Sequence, residues 1–149
     1  GGPGAIFWMW GIAFLGNTKM YGEQWLYTRP DFSKMPEMLG RQVRKAVWHL
    51  PKLGGADVRL TAHEASARFC SFGSNWTNKI AAAALETESC ACNGYVDLDV
   101  THILTDSKTG FIKRSEGWVV RTKVKGSGFA AVATGDSYYA PQILELNFQ

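Results

Sequence analysis

The 149-residue chain is short of the features that would narrow its chemistry. It has three cysteines, Cys70, Cys90 and Cys92. An odd number cannot all pair within the chain, and three are too few for a disulfide-stapled scaffold. Cys90-Ala91-Cys92 is one close pair without a second, whereas structural zinc takes four soft or borderline donors, usually grouped in twos. A zinc set of Cys70, Cys90, Cys92 and His63 is thus a marginal candidate, and buried thiols or one disulfide are the expected state. The sequence contains no Gly-rich phosphate loop, no G-x-S-x-G nucleophile turn and no defensible Ser-His-acid order, and no cofactor is expected. Internal repeats, low-complexity tracts and flexible linkers are missing too. There is no charged residue before Lys19.

What is present is apolar and aromatic. The chain is 46% hydrophobic and 13% aromatic, with six tryptophans, so it can bury the core of one domain. The charge-free stretch 1–18 is nearly all apolar from Ala5 to Leu15. As a helix it would run about 27 Å, close to the roughly 30 Å of a bilayer's hydrocarbon core. Tyr21, Trp25 and Tyr27 follow at spacings that suit an interfacial aromatic belt. Residues 17–55 then hold seven Lys/Arg against three Asp/Glu, a local charge of +4, while the rest of the chain carries −1. Basic residues flanking an apolar segment fit attraction to anionic headgroups. Residues 1–28 therefore read as an apolar, membrane-associated helical anchor. Phe7, Trp8, Trp10, Phe14, Tyr21, Trp25 and Tyr27 are its membrane or interface contacts.

Residues 29–55 read as a basic amphipathic helix. Ser33 is a plausible N-cap, and Pro36 falls in a first turn that tolerates it. Met35, Met38, Leu39, Val43, Ala46, Val47 and Leu50 recur at helical spacing over Lys34–Leu50, with Arg41, Arg44, Lys45 and Trp48 on the other side. From 56 to 149 the period changes to two, which predicts an antiparallel sheet domain packed on that helix. Strands are expected over 58–62, 67–72, 95–104, 118–124, 129–134 and 143–148, with a short helix over 77–86. Asp106-Ser107-Lys108-Thr109-Gly110 is a turn, and a hairpin across it would set Asp97 and Asp99 against Arg121, Lys123 and Lys125. The fold class expected is α+β.

The segment from Asp106 to Trp118, of the form D-x-x-T-G-x-I followed by an acid and a Trp, resembles the hairpin of NTF2-like domains. The resemblance covers 13 of the 149 residues. It implies an N-terminal helix and a strongly curved antiparallel sheet, in a family that spans enzymes, binding modules and scaffold subunits. In such a cone the His102 side of the sheet would line a pocket. His102, Tyr95, Asp97 and Asp99 are the catalytic candidates, with a core histidine and a solvated acidic strand face as the plainer alternatives.

The order of parts predicts a non-catalytic accessory or structural subunit of a membrane protein complex. Its partners would be other subunits and, through residues 1–27, the lipid bilayer. The mitochondrial inner membrane is a setting by analogy. A soluble NTF2-like binder or lyase/isomerase is the alternative, and a viral polyprotein product running from Gly to Gln is a third. Asn75-Trp76-Thr77 is a glycosylation sequon. The basic field is too small to predict nucleic-acid binding.

Overall fold

A computed structural model describes residues 12–19, 22–65, 82–114, 117–134 and 140–149. Those residues form two antiparallel sheets. The strands are β1 (Ile12–Thr18), β2 (Gly22–Gln24), β3 (Leu26–Thr28), β4 (Val43–Gly55), β5 (Val58–Ala65), β6 (Ala82–Ala91), β7 (Tyr95–Asp99), β8 (Trp118–Thr122), β9 (Phe129–Ala133) and β10 (Ile143–Phe148). Sheet one runs β10-β4-β9-β1-β2, with β7 also paired to β4; sheet two runs β3-β8-β5-β6. Among the described residues, helical turns are confined to a 3-10 turn at Pro36–Gly40 and the four-residue α1 (Thr101–Leu104).

The sheets face each other as a sandwich. Alternate residues point inward: Ala46, Trp48 and Leu50 of β4, Val96 and Leu98 of β7, Leu60 and Ala62 of β5, Val120 of β8, and Val132 of β9, all at most 2% exposed. Trp48 from sheet one meets Trp118 from sheet two edge-on, with centroids 5.5 Å apart. Ile103 and Leu104 of α1 join the same core. Lys52 closes one end of the gap. Its ammonium donates to the Asp57 carboxylate at 2.9 Å and to the Ala91 carbonyl at 2.6 Å, tying β4 to β6 across the sheets.

This mostly β architecture overturns the α+β expectation. Residues 12–18 are not the second half of a membrane-crossing helix but strand β1. Leu15 is buried in the core, and β1 is paired to β2 and β9. Among the described residues no helix is long and apolar enough to cross a membrane. The amphipathic helix over 34–50 is replaced by the 3-10 turn and β4. Its helical spacing has a local cause. Asn147 lies opposite Lys45 and Phe148 opposite Val43, so Arg44 is the extra residue of a β-bulge. The bulge stretches the inward spacing from two to three between Val43 and Ala46, which imitates i, i+3. Beyond it the period is two, and Trp48, expected outside, points in.

The long helix of an NTF2-like cone is likewise absent among the described residues, while the expected curled antiparallel sheet is present. The Asp106–Gly110 segment is a tight turn: Asp106 Oδ1 accepts from the Lys108 and Thr109 amides, and Gly110 sits at φ 77°. It does not join β7 to β8 in one hairpin, because β7 pairs with β4 and β8 with β3 and β5. Asp97 and Asp99 therefore never meet Arg121, Lys123 or Lys125. The helix expected over 77–86 is strand β6 from Ala82 onward, because pairing to β5 overrides the helix preference of alanine. The strand expected over 67–72 and the sequon lie outside the described residues.

Candidate functional site

The outer face of sheet one gathers three of the four catalytic candidates. In the β4–β7 ladder His49 is opposite Asp97, Pro51 opposite Tyr95, and Val47 opposite Asp99. The Tyr95 ring lies edge-on to His49, with centroids 6.5 Å apart. His49 Nδ1 is 2.5 Å from Asp97 Oδ1 and His49 Nε2 is 2.9 Å from Glu145 Oε1, so one imidazole bridges β7, β4 and β10. Asp99 is engaged differently: its Oδ1 accepts from the Thr101 amide at 3.0 Å and the Thr101 hydroxyl at 2.6 Å. That Thr101 hydroxyl oxygen in turn accepts from the Ala46 amide. Asp99 thus ends β7 and starts α1. His102, the fourth candidate, is exposed on α1 rather than buried on the inner side of a strand.

Sequence reasoning missed His49 and Glu145. Once the stretch is read as a strand, alternation puts His49 on the outer face. Its partners follow only from strand register, which no local pattern encodes. Both nitrogens of His49 are occupied, one by each carboxylate, so the three side chains do not converge on a common point. Among the described residues no group of three His, Cys, Asp or Glu could hold a metal ion. His63 is buried, with Nε2 2.8 Å from the Thr61 hydroxyl. Cys90 and Cys92 are joined in a disulfide, and Cys70 lies outside the described residues.

The two carboxylates hold the His49 pKa above its ordinary 6.5, the Asp97 hydrogen bond first and the Glu145 bond second, against the opposing effect of partial burial. The His49 bond holds the Glu145 carboxyl below its ordinary 4.5. A histidine with a raised folded-state pKa stabilises fully below 6.5, and that contribution is lost as pH rises through the raised value. A carboxylate with a depressed pKa stabilises above 4.5, and that contribution is lost as pH falls through the depressed value. The bridge is therefore strongest between the two. His49→Ala is expected to lower the melting temperature by about 2–4 °C near pH 5.5, and by less near pH 8.5. Thermal unfolding of both proteins at the two pH values checks it; an equal loss at both would remove the ionic bridge from the account.

A second surface surrounds the start of β4. Met35 and Leu39 of the 3-10 turn region are 49% and 48% exposed, and Phe111 is 39% exposed. Phe111 is bridged to Gln42, and the Gly110 carbonyl accepts from the Val43 amide, so the turn at 106–110 sits at this end. Arg41, Arg44 and Lys45 are exposed here, with Glu37 as the nearby acid in sequence. The Arg41 guanidinium carbon sits over the Phe148 ring, 3.7 Å from its centroid. No protein-family model, curated protein or solved structure matches this chain.

Of the aromatic residues expected at a membrane edge, Phe14 packs edge-on against Phe129 of β9, and Trp25 lies under the Arg121 guanidinium at 4.9 Å. Tyr27 is paired opposite Val119 in sheet two. These three belong to the sandwich itself. Phe7, Trp8, Trp10 and Tyr21 lie outside the described residues.

Proposed function

We propose that this chain is a non-catalytic β-sandwich subunit that joins a larger protein assembly through the basic and apolar surface around Met35, Leu39, Arg41, Arg44 and Lys45. The observation that carries this reading is the pairing of two half-exposed apolar side chains with three exposed cations at one end of sheet one. Met, aromatic and Arg side chains are enriched at interfaces, and the few that carry most binding energy are anchors of this type. The stacked Arg41–Phe148 pair is ordered before any partner arrives, which lowers the entropy lost on binding. The matching surface is apolar at its centre and acidic at its rim.

The sandwich interior supports the same reading. Its described inner faces are filled by aliphatic and Trp side chains, and the acids and His49 outside are bonded to one another. A charge-reversed, polar variant, Leu39→Asp with Arg41→Glu and Arg44→Glu, is expected to leave the melting temperature within a few degrees of wild type. The same variant is expected to move the chain from a large complex to its free size in gel filtration of gently lysed cells. Co-elution with wild type would sink the reading. Running the assay on membrane and soluble fractions separately also tests the membrane setting expected from the apolar amino-terminal sequence.

A further inference from the structure

The disulfide between Cys90 and Cys92 joins residues two apart at the end of β6, with Cα atoms 5.2 Å apart. Such a bond closes a loop with a single residue between its ends. Cross-links stabilise chiefly by restricting the unfolded chain, and the restriction grows with the loop they close. Residues already this close in sequence gain little from being tied, so stability does not account for the bond. Its surroundings suit reactivity instead. Cys92 is exposed and lies beyond the last ladder residue, while Cys90 is half-buried.

We propose that Cys90–Cys92 is a thiol–disulfide exchange site, opened by a low-molecular-weight thiol and closed by the corresponding disulfide while the sandwich stays folded. This rests on different residues from the interface reading and stands apart from it.

The chemistry balances as a two-electron, two-proton exchange. A thiolate attacks the exposed Cys92 Sγ, forms a mixed disulfide there and expels the Cys90 thiolate, which takes up a proton. A second thiolate attacks the external sulfur of the mixed disulfide. It releases the Cys92 thiolate, which is also protonated, and leaves as the oxidised external disulfide. Two external thiols are oxidised as the protein disulfide is reduced to a dithiol.

Position favours Cys90 as the leaving group. Arg59 is directly opposite it in the β5–β6 ladder, on the same outer face, and cations beside a thiolate stabilise it. Among the described side chains the local charges are mixed but net positive. Arg59 and Lys123 share Glu88, at 3.6 Å and 3.0 Å, and Lys52 reaches the Ala91 carbonyl while pairing with Asp57. Three cations thus stand against two carboxylates. Between the two sulfurs, Ala91 is fully buried and paired to Val58, which holds the strand in place whichever state the sulfurs are in.

The test uses the unaltered protein in glutathione buffers of graded ratio, quenched with an alkylating reagent and mapped by mass spectrometry. Trypsin cuts after Arg68, Lys79 and Lys108, so Cys70 falls on a different peptide from Cys90 and Cys92. The 80–108 peptide should pass reversibly from unlabelled to doubly labelled as reduced glutathione rises into the millimolar range, with circular dichroism unchanged. A peptide that stays unlabelled at every ratio, one that is labelled at every ratio, or reduction accompanied by unfolding would each overturn the proposal. The double variant Cys90→Ser, Cys92→Ser should melt within a few degrees of wild type. A variant that fails to fold would show the bond to be a staple and overturn it equally.

Discussion

Trp118→Ala is expected to destabilise the chain by about 3–5 kcal/mol, a large part of what holds a domain of this size together. Trp118 is 1% exposed and stands edge-on to Trp48, so the pair is an aromatic contact between the two sheets at the centre of the described core. Truncation removes the ring's burial and leaves a gap that rigid strands on both sides cannot close. Trp118→Phe separates packing from polarity. The indole Nε1 has no hydrogen-bond partner among the described residues, so phenylalanine discards that buried donor while keeping an aromatic ring between the sheets. Its cost should stay below about 2 kcal/mol. Urea denaturation followed by circular dichroism measures both. A Trp118→Ala loss under about 1 kcal/mol would contradict a core built on this contact.

The second large effect concerns backbone, not burial. Gly16 has φ 112°, and a Cβ added there would run into the Gly128 carbonyl oxygen and the Thr122 methyl. Gly16 pairs with Phe129 of β9, so the obstruction is the neighbouring strand itself and cannot swing aside. Gly22, on the next strand, also has positive φ, at 69°, yet nothing lies within 4 Å of its added Cβ. Gly22→Ala should therefore cost only the left-handed penalty of about 1–2 kcal/mol. Gly16→Ala adds the collision and should exceed about 4 kcal/mol, enough to leave the chain mostly unfolded. Equal losses from the two substitutions would mean that crowding at Gly16 contributes nothing.

These two sites also mark the limit of what the residues reveal locally. The alternation of Val58–Ala62, Trp118–Thr122, Phe129–Ala133 and Ile143–Phe148 is plain, and each of these segments is a strand. β4 is concealed by its bulge at Arg44, which gives a strand the spacing of a helix turn. β1 is concealed because an unbroken apolar stretch carries no period, and a strand buried between neighbours looks the same as an apolar helix. The outer-face cluster was half visible. Tyr95, Asp97 and Asp99 alternate with Val96 and Leu98 on one short strand, so their shared face could be read directly. Joining Asp97 to His49 and Glu145 required knowing that β7 and β10 flank opposite edges of β4, a fact of register between distant segments. For the same reason the ion pairs first expected for Asp97 and Asp99 fell on the wrong strand.

The bridge of His49 to Glu145 spans 96 positions in the chain, and β1 waits for a partner in β9 from Ile12 to Ala133. Sheet one cannot be completed until residues 129–148 have left the ribosome. Long-range strand pairing of this kind slows folding, because loop closure must come before the contacts that reward it. Until β10 arrives, the β4 edge that it covers stands open from Val43 to His49. For this chain, synthesis is a period of exposed strand edges, and removing residues 143–149 would make that exposure permanent.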